Sequence, residues 1–136
     1  MNFAYEPVES SMAEGTLIAE SLRVGATLEG FKVTVSRIYR ETASLSPEQR
    51  SHGLSPIWTL IEFAVGDLEA DRFAEALSRS LDRFGWYANF HTDTDAFVVF
   101  SNRVFRYRRD DSAGRAHAQA FARDQGVPET QLGWTD

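Results

Sequence analysis

The chain has 136 residues, the size of one typical domain, and 43% of them are hydrophobic and 25% charged, an ordinary globular composition. The absence of cysteine excludes disulfides, thiolate zinc sites and cysteine nucleophiles. A net charge of −6 argues against nucleic-acid binding, which requires a basic surface.

The start of the chain and its apolar runs indicate a compartment. Residues 1–11 lack a basic start followed by an apolar stretch, so they do not resemble a secretory signal. No apolar run approaches the ~20 residues that a membrane span requires. We therefore predict a cytoplasmic protein without membrane contact. We also expect a flexible N-terminus over residues 1–12 and a single α+β domain over residues 13–136.

Residues 14–24 fit two patterns. The positions of Leu17, Ile18 and Leu22 suit one side of a helix, whereas Ile18, Leu22 and Val24 suit a strand. We favour a strand, because the segment stops at a glycine and precedes a clearer strand. A helix remains the alternative.

Residues 31–41 alternate between two sets of side chains, which predicts a strand in a sheet with one solvated face. Phe31, Val35 and Arg37 are expected to share one face. The segment 42–55 that follows is predicted to be a polar, mobile loop.

Residues 56–65 are apolar at both alternating sets of positions, which predicts a central strand covered on both sides. Glu62 is the only charged residue in this strand. Its carboxyl group would have a raised pKa in apolar surroundings and could act as an acid or base. An arginine of a neighbouring strand, such as Arg37 or Arg40, could instead neutralise it, and we favour this structural pair.

The clearest predicted element is the next helix. Phe73, Leu77 and Leu81 recur at helical spacing and predict one apolar side. Asp67 is a suitable N-cap and Gly85 a suitable C-terminal stop, so we expect the helix to span the interval between them.

Three short strands follow, over residues 86–91, 96–100 and 103–108. Residues 92–95 are expected to form the first turn. Ser101–Asn102 is expected to form the second, since asparagine tolerates a positive φ. A last helix, capped by Asp111 or Ser112, is predicted to extend to about Gln125.

These elements predict an α+β fold, with a largely antiparallel sheet of five or six strands and two helices packed on one face of it. The order strand–helix–strand–strand makes the fold ferredoxin-like in part. A fold of this kind does not determine a function.

Four strings of residues support a resemblance. They are Gly85-Trp86-Tyr87, Phe97-Val98-Val99-Phe100, Val104-Phe105-Arg106-Tyr107 and Gly126-Val127-Pro128. These strings are similar to those of small uncharacterised α+β proteins of GC-rich bacteria. The resemblance spans about residues 16–134 and implies no activity, cofactor or site residue.

His91, Asp93 and Asp95 form an H-x-D-x-D string at the first turn. An imidazole and two carboxylates suit a divalent metal. Asp and Thr are also common turn formers, because their side chains bond to nearby backbone. We expect turn chemistry and predict no metal, with a metal or acid/base site at these residues as the alternative.

The strand with Arg103, Arg106, Tyr107, Arg108 and Arg109 is the most suggestive feature of the sequence. Guanidinium groups suit carboxylate or phosphate, and interleaved aromatics suit stacking. The structural alternative is an edge strand protected by charge, with arginines that pair with the acidic middle of the chain.

The leading functional hypothesis is a non-catalytic binding or regulatory module that holds an acidic protein partner or a small anionic ligand on this arginine strand. The alternative is a small enzyme with an acid/base pocket between sheet and helices, lined by at least two of Glu62, His91 and Asp93. A third hypothesis is self-association, as a homodimer, through an exposed strand edge. No phosphate-binding or nucleophile motif occurs, so we predict no cofactor.

Overall fold

The structure, a computed structural model, describes residues 11–136. Its strands are β1 (Met12–Ile18), β2 (Thr34–Thr42), β3 (Ile57–Gly66), β4 (Ala88–His91), β5 (Asp95–Phe100) and β6 (Arg103–Arg108). Its helices are α1 (Pro47–Ser51), α2 (Ala70–Ser78) and α3 (Ser112–Asp124). None of the described helices has the length and apolar character that crossing a membrane requires. The N-terminus expected to be flexible falls mostly outside the described residues, although Met12 already belongs to β1.

The six strands form one sheet in the order β2-β3-β1-β4-β5-β6, and all neighbouring strands are antiparallel. Because β3 and β4 both pair with β1, they run parallel to each other, and α2 connects them past β1. This split β–α–β unit is a ferredoxin-like element. The predicted α+β class and antiparallel sheet are therefore confirmed.

The two longer helices lie on opposite faces of the sheet, whereas the sequence analysis placed both on one face. Phe97 and Val99 of β5 pack in the core beneath α2, and Val98 and Phe100 pack in the core beneath α3. A strand that is apolar on both sides needs cover on both sides. We call the two sides of the sheet the α2 face and the α3 face.

Two-sided cover therefore belongs to β5, although the sequence analysis assigned it to the strand at residues 56–65. That strand, β3, is second from the edge of the sheet. Phe63 and Val65 are buried on its α2 face, but Leu60 and Ala64 are only half-buried on its α3 face. The open α3 side of β3 becomes important for the site described below.

Helix α2 ends at Ser78, well before the Gly85 stop that the sequence predicted. The hydroxyls of Ser78 and Ser80 donate to helix carbonyls, at 2.9 and 2.8 Å, and compete with continuation of the helix. The chain then turns so that Leu81 forms an isolated bridge with Leu22. Leu81 is buried in the core as its spacing predicted, but it reaches the core from outside the helix.

A β-bulge at Ser36 corrects the predicted faces of β2. Val35 pairs with Phe63 and Arg37 with Glu62, so Ser36 is an extra residue on β2. The bulge places Arg37 on the α3 face, away from Val35, because each position after the bulge is shifted by one. The prediction that Val35 and Arg37 share a face was wrong, because it assumed that side chains alternate along β2 without a bulge in its pairing with β3.

The structure defines two segments that the sequence left ambiguous or assigned to a loop, residues 14–24 and residues 42–55. The first part of residues 14–24 is strand β1, followed by a 3-10 turn over Ala19–Ser21. The predicted polar loop at residues 42–55 contains α1, which starts with a reciprocal capping box between Ser46 and Gln49. The Gln49 side chain is fully buried against the C-terminal part of the chain.

Candidate functional site

The α3 face of the sheet is only partly covered, and a groove lies at the boundary of the cover. Helix α3 packs over β5 and β6, and the C-terminal tail, residues 127–136, passes along β4. Two adjoining cavities of about 290 and 350 Å³ lie between this tail and the strands β1 and β3. Both cavities are lined by Thr16, Asn89 and Gly133, so we treat them as one feature, the tail groove.

One end of the tail groove is aromatic. Its lining includes Trp58, Trp86 and Tyr87, with Leu60 beside them and the carboxylate of Glu41 at the rim. The two indole rings are 5.4 Å apart between centroids. The Trp58 indole N–H donates to the Ser55 carbonyl at 2.8 Å, which fixes the orientation of that ring.

The other end of the tail groove is acidic. Glu14, Glu62 and His91 line it, and each projects from a different strand. Glu62 accepts a hydrogen bond from Arg37 at 3.3 Å, which is the structural pair favoured from the sequence. The strand spacing puts the Cα atoms of Glu62 and His91 about 12 Å apart, on either side of β1.

The wall formed by the tail is held by a hydrogen-bond network around Tyr107. The Trp134 indole donates to the Tyr107 hydroxyl at 2.9 Å, and that hydroxyl donates to Asp136 at 2.7 Å. Arg115 forms an ion pair with Asp136 at 2.8 Å, and Arg109 donates to the Asp136 backbone carbonyl at 2.7 Å. Tyr107 and Trp134 are buried and Arg115 and Asp136 are partly buried, so these four groups are shielded enough from water for the network to fix the position of the wall.

Burial also raises the pKa of the two tyrosines that contact the tail, Tyr87 and Tyr107. The Tyr87 hydroxyl donates to the Gln131 carbonyl at 2.6 Å, and burial raises the pKa of Tyr87 to about 12. Burial likewise raises the pKa of Tyr107 to about 12. Both phenols therefore remain neutral donors at physiological pH.

Arg106 of the predicted arginine strand is engaged within the molecule. Its guanidinium donates to Asp95 at 2.6 Å and to Asp71 on α2 at 2.7 Å. Arg103 lies over the rings of Phe105 and Phe121, at 4.3 and 5.3 Å from their centroids. Arg106 thus pairs with acids of the middle of the chain, as the structural alternative anticipated.

The other residues of the predicted arginine strand, Tyr107, Arg108 and Arg109, lie in different environments. Tyr107 is buried beneath the tail, and Arg109 donates to the backbone carbonyls of Thr92 and Asp93 at 3.3 Å. Arg108 is exposed. Strand β6 is an edge of the sheet, so charge on it also protects against edge-to-edge pairing. These contacts favour the structural interpretation, and anion binding at this strand stays a prediction.

The H-x-D-x-D string is divided by the sheet. His91 on β4 faces the tail groove, and Asp95 on β5 points to the opposite face, where it pairs with Arg106. Asp93 is exposed in the turn, where the Thr92 hydroxyl accepts from the backbone N–H of Asp95 at 3.0 Å. Within residues 11–136, no group of three or more His, Asp or Glu side chains is arranged to hold a metal ion.

Of the acid/base candidates, the structure brings Glu62 and His91 to one cavity and leaves Asp93 outside it. The sequence analysis missed the aromatic end of the groove, since it expected the strand at residues 56–65, which contains Trp58, to be covered on both sides. No local signal identifies that end, because it exists only where a tail distant in sequence folds back beside it, as in the contact between Tyr87 and Gln131, which are 44 positions apart. The chain matches no family model, no curated protein and no solved structure.

Proposed function

We propose that the protein is a binding module that holds, in the tail groove, a small ligand with an apolar body and a positively charged group. The single observation that carries this proposal is that an aromatic cavity and an acidic cavity adjoin and share the lining residues Thr16, Asn89 and Gly133. Ligand sites are typically apolar concavities with a few oriented polar groups.

The aromatic end suits the body of such a ligand. Trp58 and Trp86 line the cavity and are otherwise almost fully buried, so a ligand would contact indole rings that packing already holds in place. Aromatic rings held in this way bind apolar groups with little loss of side-chain entropy, and their faces also attract cations.

The charges of the groove determine the sign of the ligand. Glu14, Glu41 and Glu62 line it, and none of its lining residues within 11–136 is a lysine or an arginine. Arg37 is engaged with Glu62. An anion would be repelled by these carboxylates, whereas an amine would be attracted. This ligand differs in charge from the anion predicted for the arginine strand, whose guanidinium groups are largely engaged internally.

The experiment uses two probes with the same body and opposite charge, 4-phenylbutylamine and 4-phenylbutyrate. In a titration followed by ¹⁵N-resolved NMR, we expect the amine to shift the resonances of Thr16, Trp58 and Gly133. We expect the carboxylate to bind at least about tenfold more weakly, which corresponds to roughly 1.4 kcal/mol.

Replacing both acids at one end, with Glu14→Gln and Glu62→Gln, should remove the preference for the amine. The matched control is Glu75→Gln, an exposed acid of α2 on the other face of the sheet, which should retain it. Equal binding of the two probes to the wild type, or shifts confined to residues outside the groove, would contradict the proposal.

A small enzyme is the second candidate function, and one observation favours it. Glu62 and His91 line the same cavity, as the acid/base hypothesis requires. Turnover of p-nitrophenyl acetate or p-nitrophenyl phosphate that is lost in His91→Ala and kept in His117→Ala would support it. Turnover that neither His91→Ala nor Glu62→Gln reduces would exclude these two residues as its acid and base.

A further inference from the structure

Strand β2 presents an open edge. Within residues 11–136 it pairs only with β3, so one row of its backbone N–H and C=O groups faces away from the sheet. All of its residues except Tyr39 are exposed, among them Val35 and Ile38, which are 48% and 62% exposed. A long edge strand with exposed apolar side chains is a template for pairing with another strand.

The β-bulge limits which part of this edge can pair. Ser36 interrupts the ladder, which leaves residues 37–42 as a regular segment. Two identical antiparallel strands related by a twofold axis must place one residue opposite itself. The choice of that residue fixes every other cross-strand pair.

Charge complementarity selects one register. With Tyr39 at the axis, Arg37 of each copy lies opposite Glu41 of the other, and two opposite-charge pairs form on the α3 face. With Arg40 at the axis, two guanidinium groups would face each other. With Ile38 at the axis, Arg37 would meet Tyr39 and no charge pair would form.

We propose that two copies of the chain associate through β2, with Tyr39 at the twofold axis, and form one continuous twelve-stranded sheet. The guanidinium of Arg37 already lies over the Tyr39 ring, 4.0 Å from its centroid, so both groups are positioned at the centre of the interface. Ile38 of one copy lies diagonally across from Ile38 of the other on the α2 face, which buries both.

The arrangement places both tail grooves on the same side of the joined sheet, because a twofold axis perpendicular to a sheet preserves its faces. Glu41 lines the aromatic end of the groove and also meets Arg37 of the second copy. The dimer contact is therefore adjacent to the groove, although the inference does not depend on what the groove binds.

Light scattering after size exclusion and sedimentation equilibrium test the association. We expect the wild type to have twice the 15.3 kDa mass of one chain. Glu41→Arg and Arg37→Glu should each weaken the dimer by at least about tenfold, since like charges then face each other twice. Glu48→Arg, the same charge change on the exposed surface of α1, should leave the dimer unchanged.

Mixing the two charge-reversed variants gives the decisive result. In a mixed pair, acids at positions 37 and 41 of one chain face bases at positions 41 and 37 of the other, so a heterodimer should form. Its formation also shows that both variants fold. A monomeric wild type, or a dimer that Glu41→Arg leaves intact, would overturn the proposal, as would equal losses in Glu41→Arg and Glu48→Arg.

Discussion

The side-chain amides of Gln49 and Gln131 exchange two hydrogen bonds, of 3.0 and 3.3 Å, across 82 positions of sequence. The Gln49 amide oxygen also accepts the Ser46 backbone N–H at 3.0 Å, so one buried side chain both caps α1 and holds the tail. The position of the tail wall at the aromatic end of the groove therefore depends on a helix of five residues.

Gln49→Ala should lower the free energy of unfolding by about 1–3 kcal/mol, because it leaves partly buried polar groups of Ser46 and Gln131 without their partner. Urea unfolding measures the loss, and hydrogen exchange at the tail amides should accelerate in parallel. The control is Gln125→Ala, at the end of α3, which should cost much less. Equal losses in both variants would show that the amide pair does not hold the tail.

Gly15→Ala should destabilise the protein by more than about 2 kcal/mol, through overpacking of the sheet. A Cβ atom at this position would lie 2.1 Å from the Asn89 carbonyl oxygen and 2.5 Å from the Phe90 Cα, both of which are fixed by the ladder. Thermal and urea unfolding check the prediction. Gly66→Ala, where a Cβ meets no atom within 4 Å, should be nearly neutral, and a comparable loss there would refute the steric explanation.

Asp95 should contribute to stability in a pH-dependent way. The hydrogen bond from Arg106 lowers the pKa of Asp95 below its usual value, so the folded state favours the carboxylate. Its contribution is then fully present above the unfolded pKa of ~4 and is lost as the pH falls through the lower folded value.

Asp95→Asn should therefore lower the free energy of unfolding by roughly 1 kcal/mol at neutral pH. The effect is this small because Arg106 is half exposed and solvent screens its ion pair. The difference between the two proteins should vanish in strong acid. Urea unfolding at a series of pH values gives the curve. Asp93→Asn, in the exposed turn nearby, provides the comparison. A difference between wild type and Asp95→Asn that does not change with pH would contradict the assignment.

Tyr87 and Tyr107 should ionise only at high pH. Because burial raises the pKa of Tyr87 and Tyr107 to about 12, their stabilising effect is complete below the unfolded pKa of ~10 and is lost as the pH rises through about 12. An ultraviolet titration that follows tyrosinate formation should show a separate phase near pH 12. Tyr87→Phe and Tyr107→Phe should each reduce its amplitude, and a single phase near 10 would disprove the prediction.

Much of the fold could be predicted from the sequence because periodicity is local. The apolar pattern located β3, β5 and β6, and the positive φ of Asn102, at 62°, confirms the predicted second turn. Helix α1 could also have been predicted, since Ser46 and Gln49 have the spacing of a capping box. The bulge at Ser36 was not, because it depends on how β2 pairs with β3.

The candidate site was predictable only at its acidic end. Glu62 stood out as the charged residue of an otherwise apolar strand and His91 as part of the H-x-D-x-D string, and both line the groove. Trp58 resembled core in the sequence because nothing local shows that the tail lies beside it and leaves a gap. The pairing of Arg106 could be anticipated only in general terms, since its partner on α2, Asp71, is 35 positions away.

Strand β5 supplies side chains to both hydrophobic cores, Phe97 and Val99 to one and Val98 and Phe100 to the other. Neither core can remain intact if this strand leaves the sheet, so the two halves of the molecule share one cooperative unit. We expect chemical and thermal denaturation to follow a single transition. The slowest-exchanging amides of α2 and α3 should then report the same global opening, rather than two independent ones.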